Sequence, residues 1–163
     1  MDKGKRRMVA GWIDKAWKQL ETAEEHLESH IRHSESIEAS QECIELSVKS
    51  ILSLLDIEYP PHHWWEGKQF SNIATQIQER RLLNRLEAQD QPIYLPRLLL
   101  LAKLWAQFYL TAKYGFEEGD LAPAKDLFDK KEASLALQHA RECYWAASQL
   151  MNLSEDKLAA IVS

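Results

Sequence analysis

Three histidines, His26, His30 and His33, stand at i, i+4 and i+7. On a helix that spacing puts imidazoles on one flank, where neighbours can share a metal ion. The same flank also reads as a polar surface facing solvent or a second subunit, because no carboxylate or cysteine is fixed beside it. His62 and His63 follow Pro60-Pro61 and precede Trp64 and Trp65. This stretch offers either turn chemistry and capping, or a loop on which a base or nucleotide stacks. Arg80, Arg81 and Arg85 form a basic patch suited to a solvated helix surface or to phosphate contact. Cys43 and Cys143 each lie inside a helical pattern and read as small packing residues rather than nucleophiles. The chain has no glycine-rich phosphate loop, zinc-protease helix motif, CxxC pair or nucleophile elbow, which argues against a conventional hydrolase or nucleotide-dependent transferase.

The elements that must position these residues are helical. Only five Gly and five Pro occur in 163 residues, too few for the turns of an all-β sandwich, while 45% hydrophobic and 28% charged residues suit a globular domain. Two cysteines cannot build a disulfide framework, and they fit a reducing, cytoplasmic setting. A net charge of −5 does not advertise nucleic-acid binding. The basic cluster Lys3, Lys5, Arg6 and Arg7 reads as a solvated terminus, and Asp14-Lys15 interrupts any signal-type apolar run behind it. Leu98 to Ala112, broken by Lys103 and Gln107, is too short to span a bilayer.

Apolar residues recur at three- and four-residue steps through Ile13, Ala16, Leu20, Ala23, Leu27 and Ile31, predicting a helix from Gly11 to about Ile31. Ser34 and Ser36 offer capping hydroxyls for a second helix from about Ser36 to Leu55, with Glu45 and Lys49 in the favourable ion-pair order. Pro60-Pro61 ends that unit. A third helix is expected between Trp64 and Leu86, with Ser71 as cap, before a polar turn from Glu87 to Pro92. Leu95 to Tyr114 is apolar almost all round and predicts a helix buried on most of its circumference. After a loop, Asp129 and Glu132 resemble a capping box for a last long helix carrying Ala133, Ala136, Leu137, Ala140, Tyr144, Ala147 and Met151 on one face. Ser154 caps one more turn, Glu155 to Val162, with no evident partner in the bundle. The expectation is an all-α, antiparallel up-and-down bundle of about five helices over 10–151, between a basic extension (1–9) and a short C-terminal helix or tail (152–163). Of the six Trp, Trp12, Trp105 and Trp145 then read as packing or interface residues, leaving Trp64 and Trp65 for recognition.

Several stretches together resemble the HEPN domain, the helical family named for nucleotide binding in higher eukaryotes and prokaryotes. They are the Trp12, Ala16, Leu20, Ala23, Leu27 spacing; Ala39, Cys43, Glu45 and Lys49 of the second helix; and Ile57 to Pro60 followed by His62-His63. Leu110, Ala112, Lys113, Tyr114 and Gly115 are similar to the family's Ala-Arg-Tyr segment, and Leu127 to Ala133 to its capped last helix. The resemblance implies a dimerising bundle in a cytoplasmic, prokaryotic, toxin–antitoxin-like setting, without a cofactor, often partnered by a minimal nucleotidyltransferase. It also implies a possible metal-independent ribonuclease, in which an Arg and a His separated from it by four to six intervening residues meet across the dimer.

None of the eight Arg is followed by a His at that spacing. Lys113 stands at the Ala-Arg-Tyr position, and Glu118, Gly119 and Asp120 stand where the His would fall. Lysine keeps the charge but loses the bidentate fork, and the acidic loop repels RNA phosphate. The expected protein is therefore a non-catalytic HEPN-type module binding a nucleotide, RNA or a partner protein, with Lys113, Tyr114, His62, His63, Trp64 and Trp65 as candidate ligand contacts. Two alternatives stay open: a ribonuclease with a displaced site using Arg32 or Arg81, and a metal-binding bundle through His26, His30 and His33. The surplus apolar surface of Leu95 to Tyr114 predicts a homodimer.

Overall fold

The computed structural model describes residues 2–29, 31–59, 67–117, 119 and 121–163. Among them the chain is all-α, with eight α-helices and no strand: α1 (Lys3–Glu28), α2 (His33–Leu54), α3 (Gly67–Glu79), α4 (Leu82–Glu87), α5 (Leu95–Ala106), α6 (Tyr109–Tyr114), α7 (Lys130–Met151) and α8 (Glu155–Val162). The five expected helical stretches form an antiparallel bundle, but two of them are broken. Arg81 adopts a left-handed conformation (φ 52°) and separates α3 from α4. The second break, at Gln107 and Phe108, divides α5 from α6.

The bundle centres on α2, which packs against α1, α5, α6 and α7. Seventeen of its residues are buried, including Ser36, Ser40, Ser47, Ser50 and Ser53. Small side chains make this possible. Ala133, Ala136, Ala140 and Ala147 of α7 and Ala16 and Ala23 of α1 are fully buried, so helix backbones approach closely. Ser36, expected as a cap, lies inside α2 and its hydroxyl donates across the bundle to the Ala23 carbonyl at 2.8 Å. Ser71, also expected as a cap, sits inside α3 and bonds the Gly67 carbonyl. The apolar stretch after Leu95 is less enclosed than its composition predicts, with Leu100 62% and Leu104 41% exposed. The helix buried all round is α2, whose serines disguise it.

Both chain ends are tied into the bundle. Asp2 caps α1, so Lys3, Lys5, Arg6 and Arg7 lie in its first two turns, with Lys3 and Arg7 exposed and Lys5 and Arg6 partly covered. Lys5 pairs with Asp56, and Arg6 reaches the Met151 carbonyl and Glu155. The last helix does have a partner: α8 packs on α4, burying Leu158 and Ile161. Arg85 donates to the Ile161 carbonyl and Arg80 to that of Val162, each at 2.9 Å. These guanidiniums satisfy the open carbonyls of a helix C-terminus.

The α7 start is the capping box that its sequence predicts. The Lys131 amide donates to the Asp129 carboxylate, and the Asp129 amide donates to Glu132. Upstream, Phe116 and Ala122 exchange two backbone hydrogen bonds that pinch the loop after α6. Gly115 makes that pinch possible. Its φ is +78°, and a Cβ there would lie 2.2 Å from the Ala122 carbonyl oxygen.

The α5–α7 contact turns on His139, a buried residue that accepts the Trp105 indole N–H at Nδ1 (3.0 Å). Burial, with the Arg97 charge in support, holds the His139 pKa below the ordinary histidine value, against an opposing pull from Glu142. A protonated Nδ1 cannot accept that bond. The unfolded chain therefore binds more protons than the folded one once pH falls below about 6.5. Thermal unfolding from pH 7 downward should show a fall in Tm over that window, absent above it and removed in His139→Gln.

Candidate functional site

Along one face of α2, Glu38, Gln41, Glu42, Glu45 and Lys49 follow helical spacing. This face meets α1 on one side and α6 on the other, and between them lies a cleft of about 200 Å³. Its floor is a chain of polar groups. Lys49 Nζ donates to Glu45 Oε1 at 2.6 Å, and Gln41 Nε2 donates to Glu45 Oε2 at 3.1 Å. All three residues are buried. Taking an ion pair this far out of water costs several kcal/mol per charge before mutual attraction repays it, so an apolar pair here would serve stability as well.

The walls are aromatic and charged. Trp12 comes from α1 and Tyr109 from α6, both half-buried. Lys15 of α1 pairs with Glu42 at 2.5 Å across the α1 edge. On the α6 edge Lys113 donates to the Tyr109 hydroxyl at 3.2 Å and lies over the Tyr109 and Tyr114 rings at 5.3 and 5.6 Å. Its contact with Glu38 is long, 3.7 Å. The bond to Tyr109, then the charges of Tyr109, Tyr114 and Glu38, raise the Lys113 pKa above the ordinary lysine value, so it carries its charge throughout the neutral range. The cleft thus joins two aromatic walls, a floor with both donors and acceptors, and a loosely paired cation at the rim. Its volume lies below the range of whole drug-sized ligands and suits a single ring, with any phosphate left at the mouth.

Of the expected contacts, Lys113 and Tyr114 are exposed side by side next to Tyr109 and do not themselves line the cleft. His62, His63, Trp64 and Trp65 lie outside the described residues, as do His30, Glu118 and Asp120. The shared histidine flank is not formed, because α1 ends at Glu28. His26 belongs to its last turn, whereas His33 opens α2. Among the described residues no three His, Cys, Asp or Glu side chains converge as metal ligands. Cys43 and Cys143 are buried, and burial pushes the Cys43 thiol up to about 12 and that of Cys143 well above its ordinary value. Neither is a thiolate nucleophile at neutral pH. Trp105 is the core residue its pattern predicts, but Trp145 is 55% exposed.

Nothing in their local pattern marks Trp12, Gln41 and Tyr109 as site residues; the ion-pair order of Glu45 and Lys49 does form, but in a buried position. The signal available was a run of long polar side chains, Glu38, Gln41, Glu42, Glu45 and Lys49, at helical spacing among small and apolar residues. A larger hollow of about 370 Å³ beside the α4–α5 turn is lined mainly by amides such as Gln89, Gln91, Gln149 and Asn152, and Gln149 bonds Gln91. It gathers no comparable set of charges and rings.

The fold and this polar helix face define an all-α bundle of a recognisable class. The HEPN domain model matches residues 9–150, and the chain belongs to that family. No curated protein and no solved structure matches it. Among the described residues no helix is long and apolar enough to cross a membrane.

Proposed function

We propose that this chain is a non-catalytic HEPN-type binding module whose α1–α2–α6 cleft takes the base of a nucleotide, with Lys113 meeting phosphate at the rim. The observation carrying this reading is the buried Gln41–Glu45–Lys49 chain. It supplies donors and acceptors to a base edge between two aromatic side chains, at a cost in desolvation that folding alone does not require. Glu38 and Glu42 beside the mouth oppose a polyphosphate backbone and favour a mononucleotide over an RNA tract. The absence of an Arg followed by His at ribonuclease spacing supports the non-catalytic assignment.

Calorimetric titration with ATP, GTP and a short oligouridylate tests it. One saturable mononucleotide site is expected, weakened about tenfold by Lys113→Ala, the equivalent of one charge-assisted contact. Binding to none of the three contradicts the proposal. Total RNA incubated with the protein and EDTA should stay intact. Sustained metal-independent cleavage would return the function to a displaced ribonuclease site.

A second reading concerns partners. Leu100, Leu104 and Phe108, at i, i+4 and i+8, are all exposed on the outer side of α5 and its C-terminal turn. This stripe supports a homodimer, or docking of a protein such as a minimal nucleotidyltransferase. Light scattering at micromolar concentration should return a dimer that Leu104→Glu dissociates; a monomeric wild type would remove that reading.

A further inference from the structure

A second aromatic cluster lies away from the cleft, on the seam between α1 and α7. Trp17 of α1 packs on Tyr144 of α7, ring centroids 5.2 Å apart, and Tyr144 on Trp145 at 5.3 Å. The cluster is open to solvent, with Trp17 40% and Trp145 55% exposed. Rings of this size left in water forfeit the burial that would have placed them in the core, and tryptophan is the residue most enriched at binding hot spots.

The surrounding charge selects the partner. Asp14 and Glu21 stand three residues before and four after Trp17, on the same face of α1, and both act on the Tyr144 hydroxyl. Glu24 and Glu25 continue the acidic run. Arg141 of α7 is committed to Glu24 by two hydrogen bonds of 3.0 and 2.8 Å and Lys15 to Glu42 at 2.5 Å, which leaves Lys18 as the remaining lysine on this stretch of α1. Negative ring faces beside an excess of carboxylates repel a phosphate backbone and attract a guanidinium or ammonium group.

We propose that the Trp17–Tyr144–Trp145 face is a docking site for an extended, arginine-bearing segment of a partner protein, with the guanidinium stacked on the exposed rings and paired with Asp14 or Glu21. Aromatic surfaces of this kind take extended peptides whose backbone is held stiff by proline, so that little entropy is lost on docking. The site is independent of the cleft: it shares no residue with it, and its occupancy does not depend on nucleotide.

The test is a titration of the full chain with a blocked Gly-Arg-Pro-Arg-Gly peptide, followed by the indole N–H signals in two-dimensional NMR. The expected result is a saturable shift of the Trp17 and Trp145 signals, with those of Trp12 and Trp105 unmoved. Trp145→Ala should abolish saturation, and Asp14→Asn with Glu21→Gln should weaken binding about tenfold; both substitutions lie at exposed positions and leave the fold intact. A peptide with Glu in place of Arg, and an oligothymidylate, should leave both signals in place. The proposal is overturned by an arginine peptide that produces no saturable shift up to about 5 mM. It is equally overturned by shifts indifferent to both variants, by tighter binding of the oligonucleotide, or by shifts that follow protein concentration alone and so assign the face to a second copy.

Discussion

Glu45→Ala should lower the stability of this protein by about 3 kcal/mol, because it leaves the buried Lys49 ammonium without its carboxylate. For a chain of this length that is a fall in Tm of about 6–12 °C, read by differential scanning calorimetry. The side chains of Lys49 and Glu45 are only 11% and 9% exposed, so water repays little of the lost attraction. Replacing both residues together, Glu45→Leu with Lys49→Met, should behave differently. No charge is left stranded and the volumes are nearly kept, so stability should stay within about 1 kcal/mol of wild type or rise. A single variant as stable as wild type would mean that the pair is solvated. A double variant as damaged as the single would mean that the pair within α2 is itself needed for stability, and that its desolvation cost needs no functional explanation.

The second large effect belongs to the seam between α2 and α7. Ala140 is fully buried, and its carbonyl faces the Cys43 thiol at 3.8 Å. Ala140→Leu inserts a larger side chain where two helix backbones are in close approach, and rotamer adjustment cannot absorb it. The expected cost is about 3 kcal/mol, at the upper end for overpacking, again about 6–12 °C in Tm. Gln138→Leu, two residues away on the exposed face, should change stability by less than about 0.5 kcal/mol. Because Cys43 and Ala140 are in contact, adding Cys43→Ala to Ala140→Leu should recover part of the loss, a coupling that separated sites do not show.

These two seams also explain which parts of the molecule its sequence discloses. The stripe Ile13, Ala16, Leu20 and Ala23 is buried throughout, because a helix covered on one side writes its period into the chain. The same stripe fails at its end, where Ile31 is 78% exposed beyond the helix C-terminus. At the other end, the charges of Lys3 to Arg7 mask a helix start whose signal is a single cap, Asp2. The burial of α2 is harder to read. A helix covered on most sides by small-residue partners keeps only a narrow polar face, and its buried serines look like surface residues. The ion-pair order of Glu45 and Lys49 is legible in the chain, whereas their burial and the cleft above them are set by packing.

The family pattern draws the eye to Lys113 and Tyr114, whereas Trp12 and Tyr109 line the cleft only through packing. Trp145 shows the converse. Its neighbours Tyr144 and Ala147 follow the buried stripe, yet one residue is 100° of helix, enough to turn the indole into solvent.

The most direct measurement of the central claim is a calorimetric titration of ATP and GTP into the wild type and the Glu45→Leu/Lys49→Met variant, each first shown to be folded. One saturable nucleotide site is expected in the wild type and none in the equally stable variant, whose cleft has lost its polar floor. Equal binding by the two proteins, or none by the wild type, would contradict it.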